Sequence, residues 1–97
     1  MKKIWYDRAW SEYANWQTRD RKTIKRINEL LKSIDRNGYN CIGKPEPLKG
    51  DLTGWWSVRI DEANRLVFQI VGGEIAIHSC AGQYELSFLI DAFPQRP

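Results

Sequence analysis

Three short runs between Trp55 and Cys80 alternate apolar and polar residues, which confines this part of the chain to an antiparallel sheet with one dry face. Trp55–Ile60 sends Trp56, Val58 and Ile60 to one side and Trp55, Ser57 and Arg59 to the other. Arg65–Val71 places Leu66, Phe68 and Ile70 on its apolar side, and Glu74–Cys80 follows after Gly72-Gly73. Two glycines supply the positive φ angles of a two-residue hairpin. With that turn, Val71 faces Glu74, Phe68 faces Ile77 and Arg65 faces Cys80. Opposed residues share a face, and a slip of one residue would exchange the faces. A three-residue loop at Glu62-Ala63-Asn64, with Asn64 left-handed, keeps apolar against apolar; Ile60 then faces Leu66 and Arg59 faces Val67. The dry face is Trp56, Val58, Ile60, Leu66, Phe68, Ile70, Ile75 and Ile77. The other face, expected to be open, carries Trp55, Ser57, Arg59, Arg65, Val67, Gln69, Ala76, His78 and Cys80. Arg59 and Arg65 are diagonal neighbours there, about 7–8 Å apart.

A dry face needs a cover, and the N-terminal half supplies it. Lys2–Tyr6 reads as a strand. Asp7 is placed to cap a helix over Arg8–Gln17 with Trp10, Tyr13 and Ala14 on one stripe. Ile24, Ile27, Leu30, Leu31 and Ile34 recur at helical spacing from about Asp20 to Arg36, and Asn37-Gly38 stops that helix. Tyr39–Thr53, punctuated by Gly43, Pro45, Pro47 and Gly50, reads as a loop. The expected class is α+β: an N-terminal strand, two helices on one face, then a three-stranded antiparallel meander.

The chain has 97 residues, enough for one small domain. Its net charge of +3 is uneven. Residues 1–36 hold ten Lys and Arg against five acids, a balance of +5 that attracts polyanions or simply marks solvated helix faces. Two cysteines without CxxC spacing and one histidine make neither a disulfide framework nor a metal set. No apolar stretch approaches the roughly 18 residues of a membrane span, and no apolar core follows Lys2-Lys3 as in a signal peptide. A cytoplasmic protein with no metal, cofactor or membrane contact is the expectation.

The polar residues of the second half suggest chemistry on a phosphodiester. Pro45 and Pro47 stiffen the backbone on both sides of Glu46 and hold its carboxylate in place, although Pro-Glu-Pro also suits an ordinary surface turn. Lys44, Lys49, Arg59 and Arg65 supply cations, and guanidinium groups bind phosphate in a bidentate fashion. Trp55 and Tyr84 offer rings on which an unpaired base can stack.

Gly43-Lys44-Pro45-Glu46-Pro47-Leu48-Lys49 resembles the loop of YoeB-type toxins of the RelE superfamily. So do Leu52-Thr53-Gly54-Trp55-Trp56-Ser57-Val58-Arg59-Ile60, Asn64-Arg65-Leu66-Val67-Phe68 and Cys80-Ala81-Gly82-Gln83-Tyr84. Lys3-Ile4-Trp5 with Trp10, Tyr13 and Trp16 fits as well, and the likeness spans residues 1–84. It implies a toxin domain that cuts mRNA in the ribosomal A site, is restrained by a YefM-like antitoxin and forms a homodimer when free. It implies Glu46 as general base on the ribose 2′-OH, Arg65 with Arg59 and Lys49 as neutralisers of the phosphorane, and Tyr84 as an orienting group.

Gln83 stands where such toxins carry a histidine that protonates the leaving oxygen. An amide donates a hydrogen bond but gives up no proton, so the resemblance implies an attenuated enzyme, or alternatively an inactive antitoxin-binding and co-repressor module. Ala63 replaces a frequent acid and is expected to leave Arg65 more mobile. His78 is a remote substitute for the missing imidazole. Residues 85–97 have no counterpart in the resemblance and are expected to form an extension of uncertain origin, an extra strand or a dimer contact.

Overall fold

The computed structural model describes residues 1–82. Gln83, Tyr84 and the extension at 85–97 lie outside the described residues. The elements run β1 (Lys3–Trp5), α1 (Asp7–Arg19), α2 (Arg21–Asn37), β2 (Glu46–Pro47), β3 (Trp56–Arg59), β4 (Arg65–Val71) and β5 (Glu74–Ser79). The α+β class and the two helices are as expected. The sheet differs: it has five strands in the order β1-β5-β4-β3-β2, not a separate strand and a three-stranded meander. β1 returns parallel to β5, with Lys3 beside Ile75 and Trp5 beside Ile77. β2 pairs antiparallel with β3, a strand that two prolines concealed in the sequence. Proline lacks the N–H of a ladder donor, but an edge strand needs donors on only one side.

Local chemistry sets the helix ends. Asp20 caps α2, its carboxylate accepting from the N–H of Lys22 and Thr23 and from the Thr23 hydroxyl. Those bonds hold the Asp20 carboxyl below its ordinary pKa. Gly38, at φ 60°, ends the helix. Asp7 is the first residue of α1, not its cap; Tyr6 takes that position with no side-chain bond. The buried residues of α1 are Ala9 and Trp16, one step round from the expected stripe, and Trp10 stays 53% exposed against Trp5 and Tyr13.

Ile27, Leu30 and Ile34 of α2 pack on Val58, Leu66, Phe68, Ile75 and Ile77, all fully buried. This is the dry face that alternation predicts, with Trp56 and Ile70 at its margin. The β4–β5 hairpin keeps the expected register from Val71 opposite Glu74 to Phe68 opposite Ile77. A bulge then intervenes and Val67 faces Ser79. An extra residue on one strand reverses the faces beyond it. Cys80 therefore lies in the core instead of opposite Arg65 on the open face, and its Sγ approaches the Ala9 carbonyl at 3.5 Å.

Candidate active site

The site side of the sheet is built from its edge inward. Glu46 lies directly opposite Ser57, and Ser57 opposite Val67. Two residues along β3, Arg59 lies directly opposite Arg65. The expected three-residue loop would have made the two arginines diagonal; the real connection is longer and shifts the register by two. A shift of two preserves which face each residue occupies. Glu46, Ser57, Arg59 and Arg65 therefore share one face, with Glu46 diagonal to Arg59 on the neighbouring strand, about 7–8 Å away. Like charges directly opposed across a ladder are destabilising. Their presence here points to a use for concentrated positive charge.

Hydrogen bonds as well as prolines brace Glu46. Arg59 N–H donates to the Gly43 carbonyl at 2.8 Å and Leu48 N–H to the Trp55 carbonyl at 2.9 Å, pinning the loop to β3 on either side of the carboxylate. Gly43, at φ 92°, is pressed against the core: a Cβ there would lie 2.8 Å from Leu30 and 3.1 Å from Val58. Lys44 adopts φ 56°, left-handed and just before a proline, a conformation worth about 1–3 kcal/mol of local strain. Such strain persists where surroundings fix it, here between the Gly43 contact and the β2–β3 pairing. Glu46, Lys44, Lys49 and Arg59 are exposed, and Leu48 is buried beneath them. Lys49 stands outside the short ladder, at the start of a single turn over Gly50–Leu52.

Arg65 is held, not loosened. It is 8% exposed, and its Nη1 donates to the carbonyls of Asp61, Glu62 and Asn64 at 3.0, 3.5 and 3.3 Å. Backbone oxygens thus take the part expected of an acid at position 63. Asp61 shapes that loop by accepting from the N–H of Ala63 and Asn64, both at 2.8 Å, and from the Asn64 amide. Asn64 has no positive φ, contrary to expectation; the side chain of Asp61 closes the turn in its place.

The segment that leads into Gln83 and Tyr84 is anchored from three elements. Glu12 accepts the Cys80 N–H at 2.7 Å, and Trp16 donates its indole N–H to the Cys80 carbonyl at 2.9 Å. Gly82 donates to the Asn64 side chain at 2.8 Å, and its carbonyl accepts the Arg65 N–H at 2.9 Å. Sequence reasoning missed Glu12, Asp61 and the anchoring role of Asn64. An acid three residues after Ala9 and four before Trp16, and so on their face of α1, was the available signal for Glu12.

The expected open face is only partly open. Ser57, Val67 and Ala76 are buried along with Arg65. Trp55 and Tyr6 lean together over the sheet with His78, at centroid distances of 5.4 Å for Tyr6–Trp55, 5.1 Å for Trp55–His78 and 6.0 Å for Tyr6–His78. Trp55 starts on the β3 side and His78 sits on β5, so these rings cross above β4 and shelter Val67. Burial pushes the His78 pKa below its ordinary value; the Arg8 charge adds to this and Glu12 opposes it. Burial also raises the Cys41 thiol and, with help from Glu12, pushes Cys80 up to about 12. Among the described residues no group of three His, Cys, Asp or Glu gathers as it would around a metal ion, and no helix is long and apolar enough to cross a membrane.

Comparison with known proteins matches this arrangement to one family. A family profile described as a YoeB-like toxin of bacterial type II toxin-antitoxin system covers residues 5–84. The chain is 43% identical to Toxin YoeB of Escherichia coli (strain K12) over 84 residues, 87% of this chain and 100% of that one. It is 45% identical to the matched chain of a YoeB-YefM complex from Staphylococcus aureus, at a TM-score of 0.81 over 87% of this chain and 98% of that one. It is 46% identical to a chain of the YoeB dimer from Staphylococcus aureus, again at a TM-score of 0.81 and with the same coverage of each chain. The match spans both helices, the proline-braced loop and the strands that present Glu46, Arg59 and Arg65, so the chain belongs to the YoeB-like toxins of bacterial type II toxin–antitoxin systems.

Proposed function

We propose that this toxin is a ribosome-dependent endoribonuclease, formed by residues 1–84, which cuts mRNA in the A site. Glu46 takes the proton of a ribose 2′-OH. The oxygen attacks the adjacent phosphate in line, the bond to the 5′-oxygen breaks, and a 2′,3′-cyclic phosphate remains. Arg65, Arg59 and Lys49 neutralise charge as it grows on the phosphorane. Lys44 and Trp55 hold the flanking RNA, and Tyr84 orients the nucleotide. The observation that carries this reading is the common face of Glu46, Arg59 and Arg65, set by three directly paired strands.

With Gln83 in place of a histidine, the leaving oxygen takes its proton from water, and the rate falls by about 10²–10⁴-fold. Replacing Gln83 by His is expected to raise cleavage on programmed ribosomes at least tenfold in a toeprint assay; no gain would remove the proposed acid role. A YefM-like antitoxin restrains the protein, and the free form is a cytoplasmic homodimer, in line with the complex and the dimer known for its Staphylococcus aureus relatives.

Gln83 itself favours a second reading, in which catalysis is lost and the protein serves as antitoxin partner and co-repressor. Growth arrest on expression separates the two. Arrest abolished by Glu46→Gln or Arg65→Ala supports catalysis, and arrest indifferent to both supports binding alone.

A further inference from the structure

Beside the candidate active site the same sheet face carries an aromatic group of which the proposed chemistry uses only Trp55. Tyr6, Trp55 and His78 meet within 6.0 Å of one another, with Tyr6 47% exposed. Next to Tyr6 opens a recess of about 210 Å³ with Gln69, Ala76 and Glu74 in its wall. Trp55 is two residues before Ser57, the partner of Glu46, while His78 lies on β5 and Tyr6 follows β1. Trp55 is diagonal to Glu46, about 7–8 Å away, whereas His78 on β5 lies three strands, roughly 14 Å, across the sheet from the β2 carboxylate. The group thus extends away from the reacting ribose, toward a neighbouring nucleotide.

We infer that Tyr6, Trp55 and His78, with Gln69 in the adjoining recess, form a subsite for an unpaired nucleobase flanking the scissile link. This rests on the nuclease reading and extends it from the backbone to the bases. Three features favour a base over an aliphatic side chain. The rings present flat faces, on which every base can stack. Burial disfavours the charged imidazole, so His78 acts as a π surface and not as a second phosphate ligand. Gln69 places an amide, donor and acceptor together, in a recess whose wall also holds Ile4, Val71 and Ala76 and the Glu74 carboxylate as a further acceptor, which suits the edge of a base. The cations of the neighbouring row give the strand its charge complement.

His78 is the single histidine, so its ring proton is a unique NMR reporter. Hexadeoxyadenylate, which lacks the 2′-OH and is not cut, is titrated into the full chain beside an abasic deoxyribose-phosphate hexamer. The expected result is an upfield move of the His78 signal with the base-bearing oligomer alone. Tyr6→Ala is expected to weaken that response about tenfold and Tyr6→Phe to restore it. Equal responses to the two oligomers, or none to either, would overturn the subsite. So would a signal that moves with an acidic antitoxin segment and ignores hexadeoxyadenylate, which would assign the face to a protein partner. Cleavage by Glu46→Gln on programmed ribosomes tests the underlying nuclease separately. A base-dependent shift alongside unchanged cleavage would keep the subsite and remove Glu46 as the base; a base-dependent shift with no cleavage by the wild-type protein would keep the subsite and remove the nuclease.

Discussion

The two faces of this sheet use alternate residues of the same strands and obey different rules. On the helix-covered face, Val58, Leu66, Phe68, Ile75 and Ile77 are fully buried and make one continuous apolar layer with α2. Hydrophobic contact is non-directional, so any side chain of about the right volume at these positions supports the fold. On the other face, Glu46 is braced by backbone bonds at Gly43 and Leu48, Arg65 is wrapped by loop carbonyls, and two arginines oppose each other. Those contacts are directional and depend on particular turns. The first face sets whether the chain folds; the second sets where one carboxylate and two guanidinium groups stand once it has.

Substitutions on each side should separate stability from activity. Phe68→Ala removes a fully buried ring from the helix-covered face. It should cost about 3–5 kcal/mol, read as a lower urea midpoint, out of a total near 5–15 kcal/mol. Cleavage per folded molecule should change little, and a large loss at unchanged stability would break the division of labour. Gly43→Ala couples the faces, because its methyl would enter the space held by Leu30 and Val58 at an unfavourable φ. A loss of about 1–3 kcal/mol is expected, together with weaker cleavage as the Glu46 brace shifts. Asp61→Ala removes the acceptor that closes the Arg65 loop and should cost about 1 kcal/mol. Its cleavage defect should exceed its stability defect.

The smallest effect is electrostatic. The folded-state pKa of His78 lies below its ordinary value because burial disfavours the charged ring. As pH falls below about 6.5, the unfolded chain binds a proton before the folded one does. Stability should decline through that window and level off once pH is below the folded pKa. His78→Gln should flatten this part of the curve; a slope unchanged by the substitution would place the ring in water.

Alternation and helical spacing made the dry face, both helices and the Gly72-Gly73 hairpin legible in the sequence, because each repeats a signal over several residues. The failures cluster where a single residue decides the outcome. One bulged position on β5 turned Cys80 into the core, and no periodicity announces a bulge. Asp61, by closing its own turn, displaced the β3–β4 register by two and brought Arg59 directly opposite Arg65. A two-residue strand between prolines carries no pattern of its own, so β2 read as loop although its pairing fixes the face of Glu46. Glu12, which holds the Cys80 N–H, read as one more charge on a helix. The site residues that could be identified early were recognised by chemical type and resemblance; alternation already put Arg59 and Arg65 on one face, and the pairing of β2 with β3 added Glu46 to it.

The account stands or falls on Glu46. Wild-type protein and Glu46→Gln, compared on ribosomes programmed with a defined mRNA and scored by toeprinting, give the most direct test. Glu46 is exposed, so the substitution should leave the unfolding midpoint unchanged while reducing A-site cleavage by about 10²-fold or more. Equal cleavage by the two proteins at equal stability would contradict a carboxylate that takes the 2′-OH proton.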